Sequence, residues 1–212
     1  MTEAIQKLVL SIFGGNPVLA TIFIAMIPVI ELRGAIPFGS SKEIWGDKAL
    51  SIFEASVYSV IGSIIAAVLI ILLMIPIFKL LRKTKVFSRL VESLEEKFKK
   101  HSDKIIEETK EKKNKNLKKC LGVMAFVAIP LPLTGVWTGS AVAVFLNMGF
   151  LKSFTSISIG AIIAACIMMI VSELLGEKAL IVFYAFLIVF IAIAVFYLIK
   201  ILFKKKETIV KE

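Results

Sequence analysis

Residues 121–151 read LGVMAFVAIPLPLTGVWTGSAVAVFLNMGFL, an uncharged run broken near its middle by Pro130, Pro132, Gly135 and Gly139. A membrane-spanning helix needs about 20 apolar residues, so this run is too long for one span and too short for two. Proline inside a helix interrupts it. Irregular backbone at membrane depth is tolerated only where it is buried in protein or lines a wet cavity. The run therefore predicts a re-entrant hairpin over about residues 120–150, enclosing a cavity.

The composition of the whole chain indicates an integral membrane protein. Its 212 residues are 58% hydrophobic, whereas a soluble domain is usually about 45–50% apolar. The net charge is +10, and residues 82–119 alone carry 14 Lys/Arg against 7 Asp/Glu. Basic residues concentrate in cytoplasmic loops, so the charge indicates orientation and gives no reason to expect a nucleic acid partner. No metal-ligand cluster or catalytic constellation is present, so we expect no enzyme activity, metal or cofactor.

The positions of the basic segments, together with the number of membrane crossings between them, predict the topology. The basic loop 82–119 and the tail 204–212 are both expected in the cytoplasm of a multi-pass protein of the inner or plasma membrane. Three full spans between them would place the tail outside, whereas a re-entrant hairpin followed by two spans keeps it inside. A similar hairpin over about 17–45, followed by a helix over about 52–81, places the N-terminus outside.

An internal repeat supports this arrangement. IGSIIAA (61–67) matches IGAIIAA (159–165) at six of seven positions, and each copy follows a proline–glycine break. The predicted fold is an all-α integral membrane protein, an inverted repeat of re-entrant helical hairpin plus transmembrane helix, with an additional C-terminal transmembrane helix. The first repeat is 1–81, with an N-terminal helix. The amphipathic basic loop is 82–119, the second repeat is 120–175 with a helix over about 153–174, and the C-terminal helix is 178–203.

The first break, PVIELRGAIPFG (28–39), contains two charged residues within an apolar run. Charges at membrane depth cost roughly 2.5–3.5 kcal/mol each on insertion scales, so they pair, face a cavity or have a function. One interpretation is a structural pair between Glu31 and Arg33. In the other, Arg33 binds an anionic group, Glu31 titrates or orients it, and Gly34 and Gly39 let the backbone approach the ligand closely. Gly34 and Pro37 are counted with Glu31 and Arg33 as candidate substrate-binding or ion-coupling residues.

The second break is uncharged but rich in hydroxyl groups. These groups could bind a ligand or could satisfy backbone groups freed by the prolines, and the sequence leaves both open. The candidate substrate-binding or ion-coupling residues here are Pro130, Pro132, Thr134, Gly135, Trp137 and Thr138.

The two breaks, ELRGAIP (31–37) and PLPLTGVWTG (130–139), resemble the paired motifs of the putative small multidrug export protein family. That family is distantly similar to the DedA (SNARE-associated/VTT) superfamily. The resemblance implies two re-entrant hairpins and transport of a lipid carrier, with Glu31 and Arg33 as the acidic and basic residues of the first hairpin. DedA proteins usually carry an arginine in the second hairpin, where this chain has Thr134, Trp137 and Thr138.

Three hypotheses of function follow. The preferred one is a transporter that moves an anionic or lipid-linked, phosphate-bearing substrate through a midplane site between the hairpins. The second is a proton-coupled exporter of small cationic compounds that uses Glu31, although Arg33 nearby would repel cations. The third is a non-transporting membrane organiser that acts through the basic loop. Membrane lipids are the expected partners, while a coupling ion such as the proton and homo-oligomerisation are left open.

Overall fold

Two long apolar helices dominate the architecture. The computed structural model describes residues 11–81, 112–131 and 134–181, with isolated residues between 184 and 196, and in these parts of the chain the regular structure is helical, without strands. The helices are α1 (Pro17–Met26), α2 (Glu31–Gly39), α3 (Lys42–Trp45), α4 (Ile52–Leu81), α5 (Lys112–Ala128), α6 (Val136–Phe145) and α7 (Phe150–Leu175), with 3₁₀ turns at Gly46–Lys48 and Gly176–Ala179.

Helices α4 and α7 are long and apolar enough to cross a membrane. Within their most apolar 18-residue windows only 33% and 39% of the residues are buried. Leu69 and Leu72 of α4 and Ile170 of α7 are each more than half exposed. The core helix of a soluble protein would bury most of such a surface, so these exposed apolar faces fit a membrane protein.

Each half of the chain packs its first hairpin helix against its long helix at one glycine. A Cβ atom added to Gly62 of α4 would overlap the backbone carbonyl oxygen of Ile22 in α1. A Cβ atom added to Gly160 of α7 would lie 2.7 Å from the carbonyl oxygen of Met124 in α5. Ile22 and Met124 each precede by six residues the proline at which the helix breaks. The repeated IGSIIAA and IGAIIAA segments therefore make equivalent close contacts.

The second arm of each hairpin packs against both long helices. Helix α2 contacts α4 of its own half and α7 of the other half, while α6 contacts α7 and α4, and the two long helices contact each other. The shared apolar core includes Leu32 and Ile36 of α2, Val127 of α5 and Val136 of α6. This packing brings the break of the first hairpin against the break of the second.

The chain near the basic loop differs from the predicted boundary. Helix α5 begins at Lys112, whereas the sequence predicts a hairpin from about residue 120. Hydropathy does not indicate a helix over the first residues of α5, because they are rich in lysine. The predictions for residues 1–10 of the N-terminal helix, for residues 82–111, for most of the C-terminal helix 178–203, for the tail 204–212 and for Pro132 lie outside the described residues.

Candidate functional site at the two helix breaks

Strained backbone marks the first break, residues 27–30. Val29 has φ 71° and Glu31, the first residue of α2, has φ 45°. Residues other than glycine rarely adopt positive φ, and for a β-branched residue it is an outlier that costs about 1–3 kcal/mol. Pro28 favours extended backbone before it and cannot continue α1. The packing around the break must therefore hold this conformation.

Glu31 and Arg33 form a buried ion pair. Arg33 Nη1 donates to Glu31 Oε2 at 2.9 Å, and the two residues are only 1% and 3% exposed respectively. Side chains two residues apart do not face each other on a regular helix. The positive φ of Glu31 removes it from helical geometry, so this contact becomes available. Glu31 and Arg33 therefore have the geometry of a structural ion pair.

The Glu31 carboxylate also caps a helix of the other hairpin. Its Oε1 atom accepts from the backbone N–H of Trp137, the second residue of α6, at 3.2 Å. Gly135, the N-cap of α6, has no side chain to accept this hydrogen bond. A carboxylate at a helix N-terminus satisfies a free N–H and interacts favourably with the helix dipole.

Arg33 contacts the other side of the second break. Its Nη2 atom donates to the carbonyl oxygen of Ile129 at 3.1 Å and lies 3.3 Å from Thr134 Oγ1. Ile129 directly follows α5, so the guanidinium lies at the negative end of that helix dipole. We call Glu31, Arg33, Ile129, Thr134 and Trp137 the inter-hairpin network.

Arg33 also has a nitrogen atom that no described residue binds. Arg33 Nε is buried and makes no hydrogen bond to any described residue. The other guanidinium nitrogens are engaged with Glu31, Ile129 and Thr134, so in this conformation the fork of Arg33 is occupied by the protein itself.

The remaining predicted residues have mainly backbone roles. Thr134 Oγ1 lies 2.8 Å from the carbonyl oxygens of both Ile129 and Leu131, and Thr138 Oγ1 donates to the carbonyl of Gly135 at 3.3 Å. These hydroxyls therefore satisfy carbonyls near the break, as the second interpretation of them expected. Gly34 and Pro37 lie buried within α2, and Pro130 is half-buried in the second break.

Trp137 links the network to an apolar cavity. Its indole Nε1 donates to the carbonyl oxygen of Met26 at the end of α1, at 3.0 Å. Its ring also lines a cavity of about 160 Å³ with Met26, Met74, Leu69 and Leu73, which we call the lateral cavity. Leu69 and Leu73 are more than half exposed, so this cavity opens on the outer face of α4.

Met26 and Met74 were not predicted as site residues. A methionine in an apolar run carries no sequence signal that separates cavity lining from packing. The lateral cavity is lined by α1, α4 and Trp137 and by no described residue of the Pro-Leu-Pro break, so the cavity predicted at that break stays a prediction.

The contact between Gly135 and Glu31 gives a direct test of the network. A Cβ atom at residue 135 would overlap the Glu31 carboxylate, so we expect Gly135→Ala to displace Glu31 and to lower stability by about 1–3 kcal/mol. Gly149, at the start of α7, has open space around it and serves as the control. Unfolding by SDS in mixed micelles measures both variants. Equal stability of the two would contradict the described contact.

A family model described as "Putative small multi-drug export protein" matches residues 31–167. The match begins at Glu31 and covers both residues of the ion pair, the second break and most of α7. Comparisons with curated proteins and with solved structures gave no significant match.

Proposed function

Because the chain belongs to the putative small multi-drug export protein family, we propose that it is a membrane transporter of small lipophilic compounds, coupled to protons through Glu31. One observation carries this proposal. Trp137 lines the lateral cavity and donates its backbone N–H to the Glu31 carboxylate. A compound that displaces Trp137 together with the start of α6 would disturb this hydrogen bond, and a proton on the carboxylate would weaken the hold on Trp137.

We place the two hairpins in the membrane as an inverted repeat, with the inter-hairpin network near the midplane. The repeated glycine contacts and the exchanged packing of α2 and α6 support this placement. The net positive charge of residues 82–119 supports a cytoplasmic location for that loop. In this orientation the Leu81 end of α4 faces the cytoplasm and its Ile52 end faces outward.

The lateral cavity has the chemistry of a site for varied lipophilic compounds. Methionine side chains are flexible and polarizable, and they are common on surfaces that bind many partners. The face of Trp137 attracts organic cations, a contact worth about 2 kcal/mol when desolvated. Because Leu69 and Leu73 flank an open side, a compound dissolved in the bilayer can enter without crossing water.

Proton coupling follows from the two contacts of Glu31. As a carboxylate it makes charge-assisted hydrogen bonds to Arg33 and to the N-terminus of α6, which are roughly twice as strong as neutral ones. Adding a proton to the carboxylate removes both charge interactions and loosens the contact between the hairpins. The strained backbone at Val29 then favours departure from the closed conformation.

An anionic or lipid-linked substrate of the DedA type is a second candidate. It is favoured by the buried, unpartnered Nε of Arg33. Once Glu31 is protonated, Nη1 is also released and can donate to a phosphate. A bidentate contact through the parallel Nε–H and Nη2–H groups also requires Nη2 to leave Ile129 and Thr134. In this mechanism the substrate replaces Glu31 on Arg33.

A proteoliposome assay separates these candidates. With an imposed pH gradient, we expect the wild-type protein to move the fluorescent cation ethidium. Glu31→Gln should reduce the rate about tenfold or more, since its side chain cannot exchange a proton. Glu54→Gln, which alters an exposed carboxylate at the start of α4, is the matched control and should leave the rate unchanged.

Other results of the same assay would contradict cation transport. If ethidium does not move but a fluorescent phosphatidylglycerol crosses the bilayer and Arg33→Lys prevents it, the anionic candidate is correct. If neither probe moves, both are wrong. In that case the membrane-organiser alternative is tested by deleting residues 89–111, a segment that ends just before α5.

A further inference from the structure

Five serine hydroxyls of the long helices and α6 have no hydrogen-bond partner among the described residues: Ser59 and Ser63 of α4, Ser140 of α6, and Ser158 and Ser172 of α7. Ser59, Ser63 and Ser140 belong to the two helices that also line the lateral cavity. These three serines are at most 1% exposed. Other helical hydroxyls in the chain use the carbonyl four residues earlier: Ser56 donates to Ile52 at 2.7 Å and Thr155 to Leu151 at 2.9 Å. The three serines have equivalent carbonyls nearby and do not use them.

These hydroxyls lie on both sides of the inter-hairpin network. Ser63 precedes by three residues Ala66, which lines the lateral cavity together with Trp137. Ser59 is one further turn along the same face of α4, because residues four apart are neighbours on a helix. Ser140 follows Trp137 by three residues, one turn deeper along α6. Ser63 and Ser140 are therefore each about one helical turn from a residue that lines the lateral cavity.

A second cavity lies one helical turn beyond Ser140. It has a volume of about 220 Å³ and lies where α6 turns into α7, lined by residues that include Ile71, Val144, Asn147 and Ser153. Val144 follows Ser140 by one helical turn, and exposed Asn147, two residues beyond the end of α6, has φ 55°. We call it the end cavity. It borders the cytoplasmic half of α4 in the orientation proposed above.

Internal water can satisfy unpartnered hydroxyls in such an interior. Leaving a buried polar group unsatisfied costs about 1–3 kcal/mol, and the surrounding lipid cannot supply a hydrogen bond. Buried water typically makes about three hydrogen bonds to otherwise unsatisfied groups. A serine hydroxyl both donates and accepts, so water beside it can pass a proton along a chain.

We propose that Ser59, Ser63, Ser140 and the Nε atom of Arg33 hold a file of internal water. This file connects the end cavity with Glu31 and continues along α4 towards the outer surface. A proton from water on the outer side is added to a carboxylate oxygen of Glu31, and Glu31 later returns it to water in the end cavity. The direction of proton movement rests on the proposed function, and the path of the water molecules rests on the buried hydroxyls.

Cysteine accessibility tests the file directly. Ser59, Ser63 and Ser140 are replaced singly by cysteine in a Cys120→Ala/Cys166→Ala background. The purified protein in lipid vesicles is treated with Ag⁺, a small hydrated probe, and unreacted thiols are then alkylated in SDS. We expect Ser63→Cys and Ser140→Cys to be protected at least about tenfold faster than the controls, because a hydrated thiol ionises more readily than one in an apolar site.

Two controls match the burial and the helix position. Ala20→Cys replaces an equally buried small residue of α1 that has no hydroxyl, and Leu72→Cys lies on the exposed apolar face of α4. If all three serine positions react no faster than Ala20→Cys, the water file is wrong. Circular dichroism and gel-filtration elution identify any variant that fails to fold. At such a position the serine is replaced by threonine instead of cysteine, and the rate of proton-driven ethidium movement is measured.

The failure of this inference can be distinguished from the failure of the transport proposal. Inert cysteines together with Glu31-dependent ethidium transport would overturn the file alone. Reactive cysteines in a protein that moves ethidium independently of Glu31 would leave the file in place and remove its role in coupling.

Discussion

Replacing Arg33 with alanine is expected to lower the free energy of unfolding by about 3–5 kcal/mol, because the Glu31 carboxylate is left buried without its counter-charge. The same change removes the donor to Ile129, so the end of α5 also loses a hydrogen bond. Unfolding in mixed micelles with increasing SDS, followed by circular dichroism, measures the loss.

The control for this variant is Lys152→Ala, which removes an exposed cation from the start of α7. Its expected effect is within about 0.5 kcal/mol, as for most surface substitutions. The double variant Glu31→Gln/Arg33→Met removes both charges and should recover much of the loss, since neutral replacement of a buried pair is often tolerated. An Arg33→Ala protein as stable as Lys152→Ala would disprove the buried pair.

Replacing Gly62 with alanine is expected to lower both stability and transport. The new methyl group meets the backbone carbonyl of Ile22 and the Cβ of Ala25, so α1 must move away from α4. Overpacking of this kind costs about 1–3 kcal/mol. Because α1 carries Met26 and leads into the first break, we also expect slower ethidium transport.

Gly122→Ala is the matched control, since Gly122 lies within α5 with open space around its Cα atom. Alanine is favoured over glycine inside a helix by about 1 kcal/mol, so this variant should be slightly more stable than the wild type. The two glycine-to-alanine changes therefore have opposite expected signs. A shared sign would mean that Gly62 does not pack against α1.

Much of the helical framework is predictable from local chemistry. The run that ends at Lys79 predicts α4, and the prolines at 28 and 130 mark the two interruptions, because proline lacks an N–H and clashes with the preceding turn. The presence of Glu31 and Arg33 in an apolar segment indicates a pair or a site, since isolated charges at that depth are costly.

The partners of these charges are not predictable in the same way. The contact between Glu31 and Trp137 joins residues 106 positions apart, and it depends on how α2 meets α6 across the two halves. The positive φ of Glu31 is likewise imposed by packing, because a glutamate has no local preference for it. Tertiary arrangement alone decides which atoms complete the network.

The early start of α5 has a mechanical consequence. Its 17 residues form a rod about 26 Å long that begins at Lys112 and ends directly before the Ile129 carbonyl held by Arg33. A displacement at the Lys112 end is therefore carried along the helix axis to the ion pair.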